Sequence, residues 1–165
     1  MRFAGALLLS LPLVALSLRR VEALRHREAL LRSFGLFFRR LSELAAWRQT
    51  ELPALIGQLA AETEAFSFPG AVLAAYRDSG DLEKAWALTV NAASSQLRAE
   101  ETNVLRLFAP VFRSAAASVF CEKCALAAES FEGFAAEAQA LRLRQTRLSL
   151  SFGAFGAALL LILVL

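Results

Sequence analysis

Two thiols three positions apart, Cys121-Glu-Lys-Cys124, form the only recognisable chemical motif of the chain. Such a pair exchanges disulfides when its first sulfur sits at a helix start, where unpaired backbone N–H groups favour the thiolate. Here the pair falls several turns inside a helix predicted from about Ser114, so that activation is missing. A zinc site needs further ligands, and the one histidine, His26, is far away in sequence. The spacing therefore predicts two buried or half-buried thiols on adjacent helical turns, and His26 reads as a solvated residue among arginines. Glu62-Thr-Glu64 and Glu100-Glu101 could in principle supply paired carboxylates for acid–base work. Neighbouring helical positions point apart and no His or Lys partners either cluster, so both read as solvated faces. Trp47 and Trp86 fall in apolar helical stripes and read as core anchors. With no Gly-rich phosphate loop and no metal-ligand spacing, the expectation is a non-enzymatic chain with no catalytic residue, cofactor, metal or small-molecule substrate.

The composition says where such a chain would reside. Of 165 residues, 57% are apolar and 20% charged, richer in apolar residues than soluble domains. The excess lies at the ends, because Phe3–Leu18 and Leu148–Leu165 contain no charged residue. Residues 1–48 carry nine Arg against three Glu, residues 49–140 six bases against twelve acids, and residues 141–165 three Arg. Basic residues beside apolar ends form a membrane-edge pattern; nucleic-acid binding would need a basic stripe with interleaved aromatics in the middle.

The C-terminal segment, 18 residues long, would span roughly 27 Å as a helix, close to a hydrocarbon core. Gly153, Gly156 and Ala157 offer a small-residue face on which two membrane helices, including those of a homo-oligomer, could approach; the competing reading is that Gly and Ala are simply common in such helices. The N-terminal segment has 16 residues including Pro12. It reads as a retained anchor, with a signal peptide cleaved near Ala15-Leu16-Ser17 as the alternative, since Arg2 is outweighed by Arg19, Arg20, Arg25 and Arg27. Those four and Arg142, Arg144 and Arg147 place residues 19–147 in the cytoplasm, between two transmembrane helices at 3–18 and 148–165.

Residues 19–147 are predicted to be one all-α bundle of about five to six helices, as Ala, Leu, Glu, Arg and Gln dominate and no β-type alternation appears. Leu24, Leu31, Phe34, Phe38, Leu41 and Ala45 form one buried stripe of a long first helix continuous with the first span. Thr50 reads as the N-cap of a second helix burying Leu52, Leu55, Ile56 and Leu59. Ser67-Phe-Pro-Gly70 is predicted to break it. A short third helix carries Val72, Leu73 and Tyr76 and closes at Asp78-Ser79-Gly80. Asp81 caps a fourth, with Glu83 in its first turn and Leu82, Ala85, Trp86 and Leu88 inward. A fifth stops or kinks at Pro110, and the last runs unbroken into the second span.

Leu52-Pro53-Ala54-Leu55 continuing to Leu59-Ala60, then Ala85-Trp86, then Leu150-Ser-Phe-Gly153-Ala-Phe-Gly156 before the terminal apolar run, follow in order and spacing across nearly the whole chain. In these features the sequence resembles the stage III sporulation protein AB family of endospore-forming bacteria. It departs from the family at Phe108-Ala-Pro-Val-Phe-Arg113, where members have a Gly-containing turn followed by an Asp and a Gln, with Phe120 near the Gln position. The resemblance implies a non-enzymatic membrane platform of the channel complex joining mother cell and forespore. It implies a bundle similar to the type II secretion F protein domain, on the cytoplasmic, mother-cell side of the cell membrane. Its implied partners are other stage III sporulation proteins, including a secretion-type ATPase. Two other classes remain open: a platform of another secretion or pilus-type system, and a thiol-redox membrane protein.

Overall fold

The computed structural model describes the backbone at residues 2–47, 51–63, 66–114 and 116–164, and side chains at 19, 21–46, 51–63, 66–113 and 116–148. Among the described residues the fold is all-helical. The order is α1 (Arg2–Trp47), α2 (Leu52–Glu62), α3 (Phe68–Ser79), α4 (Leu82–Ala93), a 3-10 turn (Ser94–Gln96), α5 (Ala99–Phe108), α6 (Val111–Ser114) and α7 (Ala117–Val164). The first and last helices run unbroken into the apolar terminal segments, as expected.

Local chemistry sets the boundaries. Helix α2 starts one residue later than a Thr50 cap requires: Glu51 holds the N-cap position with an extended backbone and no side-chain cap bond, and Pro53 lies in the first turn, where its missing N–H is harmless. Thr50 lies outside the described residues. The break after α2 falls before Phe68, so Phe68-Pro-Gly70 opens α3 instead of interrupting it. Gly80 ends α3 with φ +67°, a left-handed conformation suited to glycine, and donates its N–H to Tyr76 O at 2.8 Å. Asp81 then caps α4, its Oδ1 accepting from Glu83 N at 3.0 Å and Lys84 N at 3.3 Å. Pro110 ends α5, and a single turn, α6, separates it from α7.

The chain divides into two compact units. In Leu30–Phe134, α1 and α7 run antiparallel. Gly35 allows their close approach, because a Cβ there would meet Glu132 Cγ at 3.3 Å and the Ala128 carbonyl at 3.6 Å. Ser42 Oγ donates to Cys121 O at 3.2 Å, and Arg39 pairs with Glu132. Inside lies an aromatic network. Phe34 has ring centroids 4.9 Å from each of Phe66, Phe68 and Phe131. Trp86 meets Phe68 and Phe112 at 5.1 Å and Phe108 at 5.5 Å, and its indole N–H donates to Leu105 O at 2.7 Å. Leu31, Phe34, Phe38 and Leu41 are buried as the stripe predicts, while Leu24 and Ala45 are half-buried. Leu55, Ile56 and Leu59 are buried, and Leu52, Leu73, Tyr76 and Leu82 are half-buried.

Leu88 is the correction: it is 61% exposed. Ala85, Trp86, Thr89 and Val90 fill the inward arc of α4. At 3.6 residues per turn Leu88 projects about 130° from the middle of that arc.

In the other unit, Met1–Ala29 with Ala135–Leu165, Glu28 is buried and its Oε2 lies 2.8 Å from Arg142 Nε, an ion pair that lacks the alignment of a hydrogen bond. Ala135 and Ala138 are buried as well. Among the described residues no helix is long and apolar enough to cross a membrane. The side chains of the two expected spans, Leu148 excepted, lie outside those described, and with them any packing at Gly153, Gly156 and Ala157.

This core predicts a graded series. Trp86→Ala should cost about 3–5 kcal/mol in the intact chain, Trp86→Phe less, and Leu88→Ser no more than about 0.5 kcal/mol. Circular dichroism during denaturant unfolding in detergent checks the order; equal losses for Trp86→Ala and Leu88→Ser would show that Trp86 does not organise the core.

Candidate functional site

The thiol pair sits closer to a helix start than the sequence indicates. Helix α7 begins at Ala117, so Cys121 lies one turn inside it rather than several. That is still beyond the first-turn N–H groups that stabilise a thiolate. The half-buried Cys121 lies with Sγ 3.7 Å from Ser42 O, while the Ser42 hydroxyl donates to Cys121 O; the two residues fasten α1 to α7 reciprocally. Cys124 is fully buried. Burial first, and then the neighbouring Cys121, push its thiol well above its ordinary pKa. The geometry suits packing and disfavours a nucleophile or a metal ligand. Among the described residues no group of three or more His, Cys, Asp or Glu could hold a metal ion.

The carboxylates separate. Glu100 is exposed, whereas Glu101 is only 2% exposed: its Oε2 accepts from Arg98 N at 2.7 Å and closes the first turn of α5. A solvated face is therefore the wrong reading for Glu101. A carboxylate three residues after an N-cap position is the signal that identifies this role. Glu62 is exposed and accepts from Gln58 Nε2 at 2.9 Å, and Glu64 lies outside the described residues. Glu100 and Glu101 are therefore not brought together as an acid–base couple. His26 is exposed, as expected, and Trp47's side chain lies outside the described residues.

Of the arginines expected to flank membrane spans, Arg19, Arg25, Arg144 and Arg147 are exposed, Arg27 and Arg142 are half-buried, and the side chain of Arg20 lies outside those described. An open groove of about 620 Å³ runs between the 3-10 turn and α5, lined by Ser94, Leu97, Thr102, Asn103 and Arg106. Glu100 lines it as well; the Ser94 hydroxyl donates to Asn91 O at 2.6 Å, and Arg106 donates to Asn91 Oδ1 at 3.2 Å. The sequence reading missed a surface feature: Leu36, Leu88, Leu107 and Leu126 are large apolar side chains on solvent-facing helix positions. Each falls outside the inward arc of its helix, and that offset from the buried stripe is the signal. The arrangement offers surfaces for association more readily than a cleft for chemistry.

The raised Cys124 thiol carries a sign. The folded chain holds the proton that an unfolded thiol releases above about pH 8.5, so its contribution to stability is intact below that pH and is lost as the pH rises. Denaturant midpoints should fall with pH more steeply for the natural chain than for Cys124→Ala, by up to ~1.4 kcal/mol per pH unit; parallel profiles would show that the thiol ionises freely in the fold.

No curated protein and no solved structure matches the chain. The family model for stage III sporulation protein AB matches residues 2–165, from the first arginine through the bundle to the last apolar residue. The chain therefore belongs to the stage III sporulation protein AB family.

Proposed function

We propose that the chain is a non-enzymatic, membrane-anchored assembly platform of the mother cell–forespore channel complex. The observation that carries this reading is the family match along the whole chain, which makes it a sporulation protein. Further support comes from a helical bundle whose buried polar groups serve the fold: Glu101 closes a helix start and the Trp86 indole N–H spans α4 to α5. The thiol-redox alternative loses ground because Cys124 is fully buried with its thiolate disfavoured.

Two charge-free segments, Phe3–Leu18 and Leu148–Leu165, serve as membrane anchors, and the seven flanking arginines hold the intervening bundle in the cytoplasm of the mother cell. Other stage III sporulation proteins, a secretion-type ATPase among them, dock on the bundle, for which the outward leucines of α4, α5 and α7 supply apolar contact area. A fold akin to the type II secretion F protein domain suits this role.

In an endospore former lacking its own copy, the natural chain should restore development past engulfment, and a Cys121→Ser, Cys124→Ala variant should restore it equally. In vivo cross-linking should recover the secretion-type ATPase. A variant that accumulates normally yet fails to restore sporulation would promote the thiol reading, and normal sporulation without the gene would sink the platform.

Orientation has its own test. The natural thiols are too enclosed to report it, so Ser95→Cys, on the exposed 3-10 turn, is introduced into the thiol-free background. Membrane-impermeant maleimide should label Ser95→Cys only after the membrane is opened. Labelling of intact cells would place the bundle on the opposite side.

A further inference from the structure

The unit formed by Met1–Ala29 and Ala135–Leu165 has a distinctive surface just before the apolar ends. On α7, Leu141, Leu143 and Leu148 are 43%, 48% and 46% exposed, three large apolar side chains within eight residues. Exposed Arg144 and Arg147 alternate with them. On α1, Arg19, Arg25 and His26 are exposed, with Glu22 the one exposed carboxylate between Arg19 and Glu28. No acidic residue follows Glu137 to the end of the chain. The exposed α1 residues lie between buried Glu28 and the apolar N-terminal segment; on α7, Leu143, Arg144 and Arg147 lie between Arg142, the ion-pair partner of Glu28, and the C-terminal segment that begins at Leu148, with Leu141 one residue before Arg142. At ~1.5 Å per residue, each occupies a band of roughly 9–14 Å of helix.

Large apolar side chains held in water are costly, and a purely aqueous surrounding offers them no compensation. The boundary of an anionic bilayer satisfies both: leucine side chains enter the acyl edge while guanidinium groups take phosphate oxygens in bidentate fashion. We propose that this collar binds the headgroup phosphates of anionic phospholipid, selecting a lipid class in addition to marking the membrane edge. The inference rests on the membrane-anchored reading above. Charge complementarity selects this occupant, since the exposed Arg19, Arg25 and Arg144 outnumber the one exposed glutamate, Glu22.

The test uses the full chain in phosphatidylcholine vesicles doped with spin-labelled phosphatidylglycerol or, as the control, spin-labelled phosphatidylcholine. Electron spin resonance should show the anionic label motionally restricted at the protein at least about fivefold more than the neutral one at low ionic strength, a preference that salt weakens. An Arg19→Gln, Arg25→Gln, Arg144→Gln variant should lose that preference while resisting extraction by alkaline carbonate as the natural chain does. Equal restriction of the two labels, or a preference surviving in the triple variant, would overturn the collar. So would loss of chain–chain cross-linking in that variant with lipid preference unchanged, which would assign the surface to a second copy. Release of the natural chain by carbonate would instead sink the anchored reading itself, and the collar with it.

Discussion

The Trp86 side chain is the joint on which the bundle turns. Its ring packs stacked, tilted or edge-on against aromatic groups from α1, α3, α5 and α6, and its N–H reaches the carbonyl of Leu105. An indole buried without that acceptor would leave a polar group stranded in an apolar interior, so α5 must lie close enough to supply one. Helices too short to be stable alone, the single-turn α6 among them, thereby gain a fixed position. Phe34 and Phe38 play the matching part on α1, meeting Phe131 of α7 in nearly parallel planes. Ten of the thirteen phenylalanines join this one network, which explains where a composition unusually rich in that residue is used.

Helix existence was legible in the sequence because proline, glycine and aspartate mark the ends. Asp81 and Gly80 act as their residue types predict, and Pro110 stops α5 where its ring must. The stripe from Leu31 to Leu41 follows from periodicity alone. Leu88 was misread because it neighbours Trp86 in sequence, and an apolar residue beside a core residue can face the other way on a helix. The aromatic network itself was illegible: Phe66, Phe68, Phe108 and Phe131 are separated by whole helices and short turns, and only tertiary closure reveals that they meet. Glu101 was misread for a related reason, since a capping carboxylate and a solvated one look alike until the helix start is placed.

The thiols illustrate how a motif can be spent on architecture. A Cys-x-x-Cys pair one turn into a helix is near the place where it would be reactive, yet the second sulfur is enclosed and the first exchanges contacts with Ser42 across to α1. Small side chains suit that position, because Gly35 and Glu132 bring the same two helices into close contact further along. The arginines before the C-terminal apolar segment divide in the same manner: Arg142 is committed to Glu28, and its neighbours Arg144 and Arg147 face outward. The three look alike in sequence, and only burial distinguishes Arg142 from the exposed pair.

Phe34 on α1 and its stacking partner Phe131 on α7 lie at opposite ends of the bundle sequence. A chain made from its N-terminus exposes the aromatic face of α1 long before α7 exists. At roughly 5–20 residues per second, the ribosome needs on the order of 5–20 s to travel between the two. Phe66, Phe68 and Trp86, which touch Phe34 or Phe38 in the finished core, emerge in that interval, so the part of the core that does not need α7 is available to cover that face first.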